Sequence, residues 1–504
     1  MTTAAEPAGV LICRNPATGD ELARIPASSP TEVADQVNRA RLSRRDWADR
    51  PWSDRRLALL RWHAELSRRA DELADAVRAE IGKPRAEAMA AEVVPTLDAL
   101  RWTIRHARRV LSPRIEAPGP QRWLLMPRAR VERRPLGVIG VIGAWNYPIL
   151  LNAPVIAHAI AAGNAVVWKP SERSSWCGAL LQETIAAAGL PEGLVSIVQG
   201  GPQIGSALVE AGVDKMVFTG GLENGRRVLA ALGGRGVPAV AELSGFDAAV
   251  VLPDAPDGPT MRALLWSSFL GAGQTCMAVK RIYLVGRRTE PLDPWIESFA
   301  QLVQGLRVGD PSREDVDVGP MISEEARAAF RRQVRAAIDA GARMCAGDGG
   351  PLGPGGFCRP ILLVADPGET APERALEGCF GPVVLVRVVR DVDEAVEAVN
   401  ASNYGLSASV WGRDRRACRR VADRLEVGVV GINEATAFFA LAFSPAGGVK
   451  ASGFGRVHGA EGLLELTAPR TVVARSVGSP RPQVFPYSPR LGRLLGVYRR
   501  LFHR

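Results

Sequence analysis

From about Pro30 to Leu111, apolar residues recur every three to four positions among Arg, Asp, Glu and Ala, the spacing of one helix face. Thr31 and Ser53 are the expected N-caps of this region, and Gly82-Lys83-Pro84 is its expected break. The pattern then changes. Short apolar runs at 138–142, 165–168, 194–198, 215–218 and 237–243 read as buried strands, with helical stretches such as Cys177–Ala188 and Gln203–Ala211 between them. A second set follows at 248–252, 281–285, 360–364, 383–386 and 429–432. Strand–helix alternation predicts parallel, doubly wound sheets, so the expected class is α/β with two successive domains. Ligands in such folds bind at the C-terminal ends of strands and in domain clefts. The Gly/Pro-rich stretch 347–356 is expected to be a surface loop, and no internal repeat is visible.

The 504 residues exceed one simple core, and 47% hydrophobic with 23% charged residues is an ordinary soluble composition. No apolar run approaches the ~20 residues of a membrane-spanning helix. The N-terminus lacks the basic region and apolar core of a secretory signal. The seven cysteines are scattered, odd in number and without metal-ligand spacing, which implies reduced thiols, no metal and a cytoplasmic setting. A net charge of +10 raises the question of nucleic acid. The arginines, however, are mostly interleaved with acids and alanines in helical patterns, and no aromatic–basic platform appears, so nucleic acid is not an expected partner. The tail differs. From Pro480 onward, Leu491, Leu494, Leu495, Val497, Tyr498, Leu501 and Phe502 alternate with Arg490, Arg493, Arg499, Arg500 and Arg504. This is the pattern of a basic amphipathic helix, which either touches anionic lipid, associating the protein with a membrane, or packs on its own protein or a neighbouring subunit.

Three residues distant in sequence supply the parts of one reaction. Cys276 follows Gly271-Ala-Gly-Gln-Thr275, small residues that let backbone amides approach a soft nucleophile, and a thiolate adds readily to a carbonyl. Glu242 ends an apolar strand facing the expected cleft. A carboxylate there caps the next element or, with its pKa raised in a partly dry site, activates water. Asn146 follows the strand ending near Gly143. Asparagine is common in turns, yet its neutral amide also holds an oxyanion without forming the Schiff base that a lysine would form with an aldehyde. Cys13, Cys177, Cys345, Cys358, Cys379 and Cys418 lack such surroundings and read as structural. Lysine occurs only at Lys83, Lys169, Lys215, Lys280 and Lys450, whereas arginine is everywhere, which suggests sites where a compact point charge is needed.

Taken in order, these segments resemble the aldehyde dehydrogenase superfamily from about Asn15 to Val472. The resemblance rests on Asn15-Pro-Ala-Thr-Gly19, Ala144-Trp-Asn-Tyr-Pro148, Trp168-Lys-Pro-Ser-Glu172, Phe218-Thr-Gly-Gly-Leu-Glu-Asn-Gly225 and the Glu242 and Cys276 segments. Phe380-Gly-Pro382, Asn403-Tyr-Gly-Leu406 and Gly447 to Arg456 complete it. It implies that Asn146 and the Cys276 backbone N–H share the oxyanion. It also implies that Trp145, Lys169, Ser171, Glu172, Gly220, Gly225, Leu243 and Phe380 hold a nicotinamide dinucleotide. In that arrangement Lys169 donates to the adenosine ribose and Glu172 accepts from its 2′ and 3′ hydroxyls, which favours NAD over NADP. Gly220 and Gly225 would frame a turn placing the pyrophosphate over a helix N-terminus. Phe380 would pack near the nicotinamide ribose.

The chain departs from the family pattern in places. Gly378 stands where the family commonly carries a ribose-holding Glu, so either Glu377 reaches in or that contact is absent. Ser244 and Phe246 replace a usual glycine and a frequent lysine, and Ala446 replaces an aromatic. The implied architecture is two doubly wound Rossmann-like domains with a small β oligomerisation arm. The implied cofactor domain spans 1–114, 135–243 and 436–461, and the catalytic domain 244–435. The arm spans 115–134 and 462–476, implying a homodimer or homotetramer, and the basic tail 477–504. The implied reaction oxidises an aldehyde to a carboxylic acid through a cysteine thiohemiacetal and a thioester hydrolysed by Glu-activated water. The alternatives are thioester release to CoA, or a silent, lipid-associated scaffold of the same fold. Semialdehydes, aromatic aldehydes and fatty aldehydes all remain open as substrates.

Overall fold

The computed structural model describes residues 9–116, 119–120, 127–287, 293–348, 355–479, 481 and 485–503. Parts of the expected arm, of the 347–356 loop and of the tail lie outside these residues. The chain opens with a hairpin, Val10–Arg14 against Glu21–Pro26, turned by the Asn15–Gly19 segment. The helical region is several helices: Pro30–Asp49, Trp52–Arg68, Ala70–Ile81, and a run from Arg85 to Val110 interrupted by a π-turn at Met89–Val93. Its caps differ from expectation. Ser29, rather than Thr31, caps the first helix in a reciprocal box with Glu32, because Pro30 at the first helical position has no N–H to satisfy. Ser53 lies inside the first turn of the second helix, which starts after Pro51 without a side-chain cap. Gly82 ends the third helix in the left-handed region, as its sequence predicts.

Two parallel sheets follow. The first runs, in spatial order, Gly453–Phe454, Ala239–Glu242, Lys215–Thr219, Val138–Ile142, Ala165–Lys169 and Val195–Ile197. Only its Gly453–Phe454 edge is antiparallel. The second runs Arg343–Ala346, Ile361–Ala365, Val383–Val389, Val279–Val285, Asp247–Val251, Ser407–Trp411 and Val429–Ile432, antiparallel at its first edge. Their apolar runs follow from this topology: helices cover both faces, so every residue of Val138–Ile142 and Val383–Val389 is buried. The strand Ser407–Trp411 is not among the expected apolar runs, since serines at 407 and 409 interrupt its apolar residues. Each is buried against a partner instead: the Ser407 hydroxyl on the Asp247 carboxylate, and Ser409 Oγ accepting from Trp411 Nε1 at 2.9 Å.

A third, antiparallel sheet joins Thr467–Val473, Ala129–Pro135 and Arg114–Glu116. Ile115 and Val473 on it stay 69% and 58% exposed. The two parallel sheets meet the cleft with opposite ends. Asn146, Lys169 and Glu242 lie at or just beyond strand C-termini of the first sheet, as the rule for such sheets leads one to expect. Cys276, Phe380 and Leu406 instead lie on segments entering strands of the second.

Candidate active site

A cleft of about 750 Å³ lies between the two parallel sheets. Its walls bring together Asn146, Glu242 and Cys276 with Trp145, Lys169, Ser171, Glu172, Gly220, Leu243 and Phe380. Trp145 and Phe380 meet edge to face at 5.7 Å. Gly225 is the one expected residue that does not line the cleft. It is buried one turn into the helix Leu222–Gly234, and an added Cβ would sit 2.4 Å from Leu243 Cδ2. Its hydrogen lets the helix press on Leu243, which in turn lines the cleft.

The loop that carries Cys276 is held on several sides. Ala272 takes a left-handed φ of +55° between two glycines, a conformation that costs a residue with a Cβ on the order of 1–3 kcal/mol. Lys280 Nζ donates to the carbonyls of Gly273 at 2.7 Å and Gly381 at 2.6 Å, tying the loop to the turn that carries Phe380. Gly271 N–H donates to Glu87, and the Gln274 carboxamide accepts from Ile322 N–H. Asn146 Nδ2 donates to the Gln274 carbonyl at 3.1 Å, which orients the amide and leaves its second hydrogen for a ligand. Gly245 permits a close approach to this loop: a Cβ there would meet the Cys276 carbonyl oxygen at 2.3 Å.

Burial dominates the electrostatics. It pushes the Cys276 thiol up to about 12, assisted by the negative charges of Asp247 and Glu242; the N–H groups of Met277 and Cys276 oppose it weakly. Burial also holds Glu242 well above the carboxylate range against the opposing charge of Arg456. Glu242 Oε1 is buried without a hydrogen-bond partner. A neutral thiol thus shares the cleft with a carboxyl group whose raised affinity suits it to accept a proton.

At the other end of the cleft, Lys169 is buried with its Nζ 3.6 Å from Glu172, whose side chain is 41% exposed. Ser244 Oγ accepts from Leu222 N–H, so the serine that replaces a glycine occupies one of the free amides of that helix. Glu377 turns away: it accepts from Asn403 Nδ2 at 3.4 Å in a neighbouring recess with Arg226, Arg374 and Lys450. Gly378 lines the cleft itself, and the Tyr404 hydroxyl lies 3.3 Å from where its Cβ would be. An open helix N-terminus beside Gly220 and Gly221 and an exposed acid beside a buried lysine suit a dinucleotide phosphate and ribose.

Sequence reasoning missed a buried network behind the site. Lys83 Nζ donates to Glu92 at 2.9 Å and sits 3.3 Å over the Tyr147 ring. Glu92 also accepts from Ile149 and Leu150 N–H, and the Tyr147 hydroxyl bonds Thr275 at 2.8 Å. Asn146 and Cys276 are the chain neighbours of Tyr147 and Thr275. The rarity of lysine was the available signal, and all five lysines have carbonyl or carboxylate partners. Equally unforeseen was the apolar wall beside Cys276, formed by Leu151, Met277, Leu406 and Phe439.

A family model described as the aldehyde dehydrogenase family matches residues 3–472. The chain is 35% identical over 479 residues to a protein of Methylomonas sp named 4,4'-diapolycopene aldehyde oxidase, covering 94% of this chain and 88% of that one. It is 34% identical over 471 residues to a putative succinate-semialdehyde dehydrogenase [NADP(+)] of Mycolicibacterium smegmatis, covering 91% and 88%. The fold superposes on a Mycobacterium tuberculosis aldehyde dehydrogenase solved with NAD+ at a TM-score of 0.87 and 29% identity, over 95% of this chain and 98% of the other. The chain belongs to the aldehyde dehydrogenase family, and the enzyme is an oxidoreductase.

Proposed function

We propose that the enzyme oxidises an apolar aldehyde to its carboxylic acid through a thioester on Cys276. Glu242 takes the thiol proton, the sulfur attacks the carbonyl carbon, and a thiohemiacetal forms. The free amide hydrogen of Asn146 and the Cys276 backbone N–H hold its oxyanion. A nicotinamide dinucleotide held by Trp145, Lys169, Glu172 and Phe380 would supply the acceptor for the hydride that leaves the thiohemiacetal carbon. Glu242, relieved of its proton to solvent, then draws one from a water that attacks the acyl carbon and releases the acid and the thiol. The observation that carries this reading is the convergence of Cys276, Asn146 and Glu242 on one cleft, with Glu242 Oε1 unpartnered. That oxygen also disfavours release to CoA, because thiol exchange would leave no water for a base to activate.

Glu172 supports NAD over NADP, since its exposed carboxylate would repel a 2′-phosphate. The exposed apolar residues of the antiparallel sheet support its use as a pairing arm between subunits. The substrate class follows from the wall beside Cys276. The cationic side chains lining the cleft, Lys169, Arg173 and Arg227, belong to its cofactor half. An apolar aldehyde, such as the one named for the Methylomonas relative, therefore fits better than the carboxylated aldehyde of the mycobacterial names. NADH formation at 340 nm with fatty, aromatic and dicarboxylic aldehydes tests this. Turnover strongest on the apolar members and abolished in Cys276→Ala is expected. Activity surviving in Cys276→Ala, or confined to succinate semialdehyde, would overturn it.

A further inference from the structure

The last 31 residues, 474–504, hold seven arginines and neither a lysine nor an acid, so they carry +7 of the net +10 and leave +3 for the other 473 residues. The charge that looked dispersed is concentrated at one end. The family match stops before this segment, at residue 472. Within it, Pro489–Phe502 is a helix capped by the Ser488 hydroxyl, with Pro489 in its first turn. Leu491, Leu494, Leu495, Tyr498, Leu501 and Phe502 recur at helical spacing, over an arc of roughly 120° on a helical wheel. Arg493 and Arg500 lie opposite, and Arg490 and Arg499 flank the two edges of the apolar arc.

No residue of this helix is buried, and Leu501 is 58% exposed. Among the described residues, none of its arginines forms an ion pair, although arginine ion pairs are frequent over the rest of the surface. The approach to the helix adds Phe485 and Tyr487, 80% and 66% exposed with rings 4.6 Å apart. Fourteen residues rise about 21 Å, too short for a hydrocarbon core of about 30 Å. No helix of the described residues is long and apolar enough to cross a membrane.

We propose that this C-terminal helix is an in-plane anchor for an anionic lipid surface. The apolar arc enters the acyl boundary, the flanking and opposite arginines meet lipid phosphates, and the aromatic pair sits at the interface. Nucleic acid would use the arginines and leave the leucine arc in water. A second copy of this chain would have to cover seven arginines with acids that this segment lacks. The anchoring is independent of the reaction. Its link to substrate supply rests on the apolar-aldehyde reading, since surface attachment keeps the cleft where apolar aldehydes concentrate.

Flotation of the full chain with vesicles tests the anchor, using phosphatidylcholine alone against phosphatidylcholine with one-third phosphatidylglycerol. Binding to the anionic vesicles at least about tenfold above the neutral ones, and weakening as salt rises, is expected. Leu494→Glu/Leu501→Glu and Arg493→Gln/Arg500→Gln should each lower it about tenfold or more. Leu501, Arg493 and Arg500 are exposed, Leu494 is half-buried, and none of the four lines the cleft, so oxidation of a water-soluble aldehyde stays unchanged, which separates failure of the anchor from failure of the catalytic reading. No vesicle binding, equal binding to both vesicle types, or competition by duplex DNA at lower concentration than by vesicles would overturn the proposal. So would loss of oligomers in the leucine variant without loss of flotation.

Discussion

Lys83→Met removes a buried ammonium whose partners are all known. In the wild type that group faces Glu92 at 2.9 Å and the Tyr147 ring at 3.3 Å, with Lys83 2% and Glu92 0% exposed. Methionine preserves the apolar stem but leaves the Glu92 carboxylate with only the Ile149 and Leu150 N–H groups. Breaking one side of a buried ion pair costs roughly 3–5 kcal/mol, chiefly from the uncompensated charge left behind. Burial already raises Glu92, and Lys83 is the charge that opposes this. The variant's Glu92 therefore binds its proton more tightly in the folded state. For a carboxyl group whose folded pKa is raised above its unfolded value, stability is present at low pH and lost as pH rises through the folded value. The deficit of Lys83→Met should thus be largest at neutral pH and shrink as the solution is acidified toward the unfolded value of 4.5. Urea unfolding followed by tryptophan fluorescence measures it. Glu92→Gln added to Lys83→Met should recover most of the loss, because a neutral amide oxygen still accepts the two backbone hydrogen bonds. Because Tyr147 and Thr275 adjoin Asn146 and Cys276, the single variant should also lose about 10²-fold in kcat from misplacement. A deficit under about 1 kcal/mol, or a double variant no more stable than Lys83→Met, would refute the reasoning.

Glu242→Gln should slow both the first NADH burst and the steady-state turnover roughly 10²–10⁴-fold, because the same carboxylate takes the thiol proton and then the water proton. Wild-type turnover should rise with pH through a value above the usual carboxylate range, because Glu242 acts only when deprotonated. That limb should vanish in the variant, and iodoacetamide should label Cys276 more slowly there, since the base that takes its proton is gone. Burial depresses His158 to about 3 and His458 to about 4 from 6.5, so both are neutral in the fold. Their folded values lie below the unfolded one, so the stability each contributes is intact above pH 6.5 and is lost as pH falls toward 4 and then 3. The loss is at most about 3–5 kcal/mol each. His158→Leu should flatten the acid limb of stability measured in urea; an unchanged slope between pH 7 and pH 4 would contradict this.

The chain's order of elements was legible because it rests on local rules. Parallel strands covered on both faces must be apolar throughout, so 138–142 and 383–386 announce themselves, and Gly82 must end a helix where the backbone turns left-handed. The convergence of Cys276, Glu242 and Asn146 on one cleft was legible too, because each one's chemical type and immediate neighbours restrict what it can do. The tertiary structure decided what depends on desolvation and on partners far away in sequence. It turned Glu377 into a side recess, set Gly225 against Leu243 instead of the cleft, and raised the Cys276 thiol through burial beside Glu242 and Asp247. It also placed Glu92 beneath Ile149 and Leu150, across 57 and 58 residues of chain. Periodicity encodes torsion angles and which face is apolar. The field at a buried group is summed over neighbours that only the folded chain brings together.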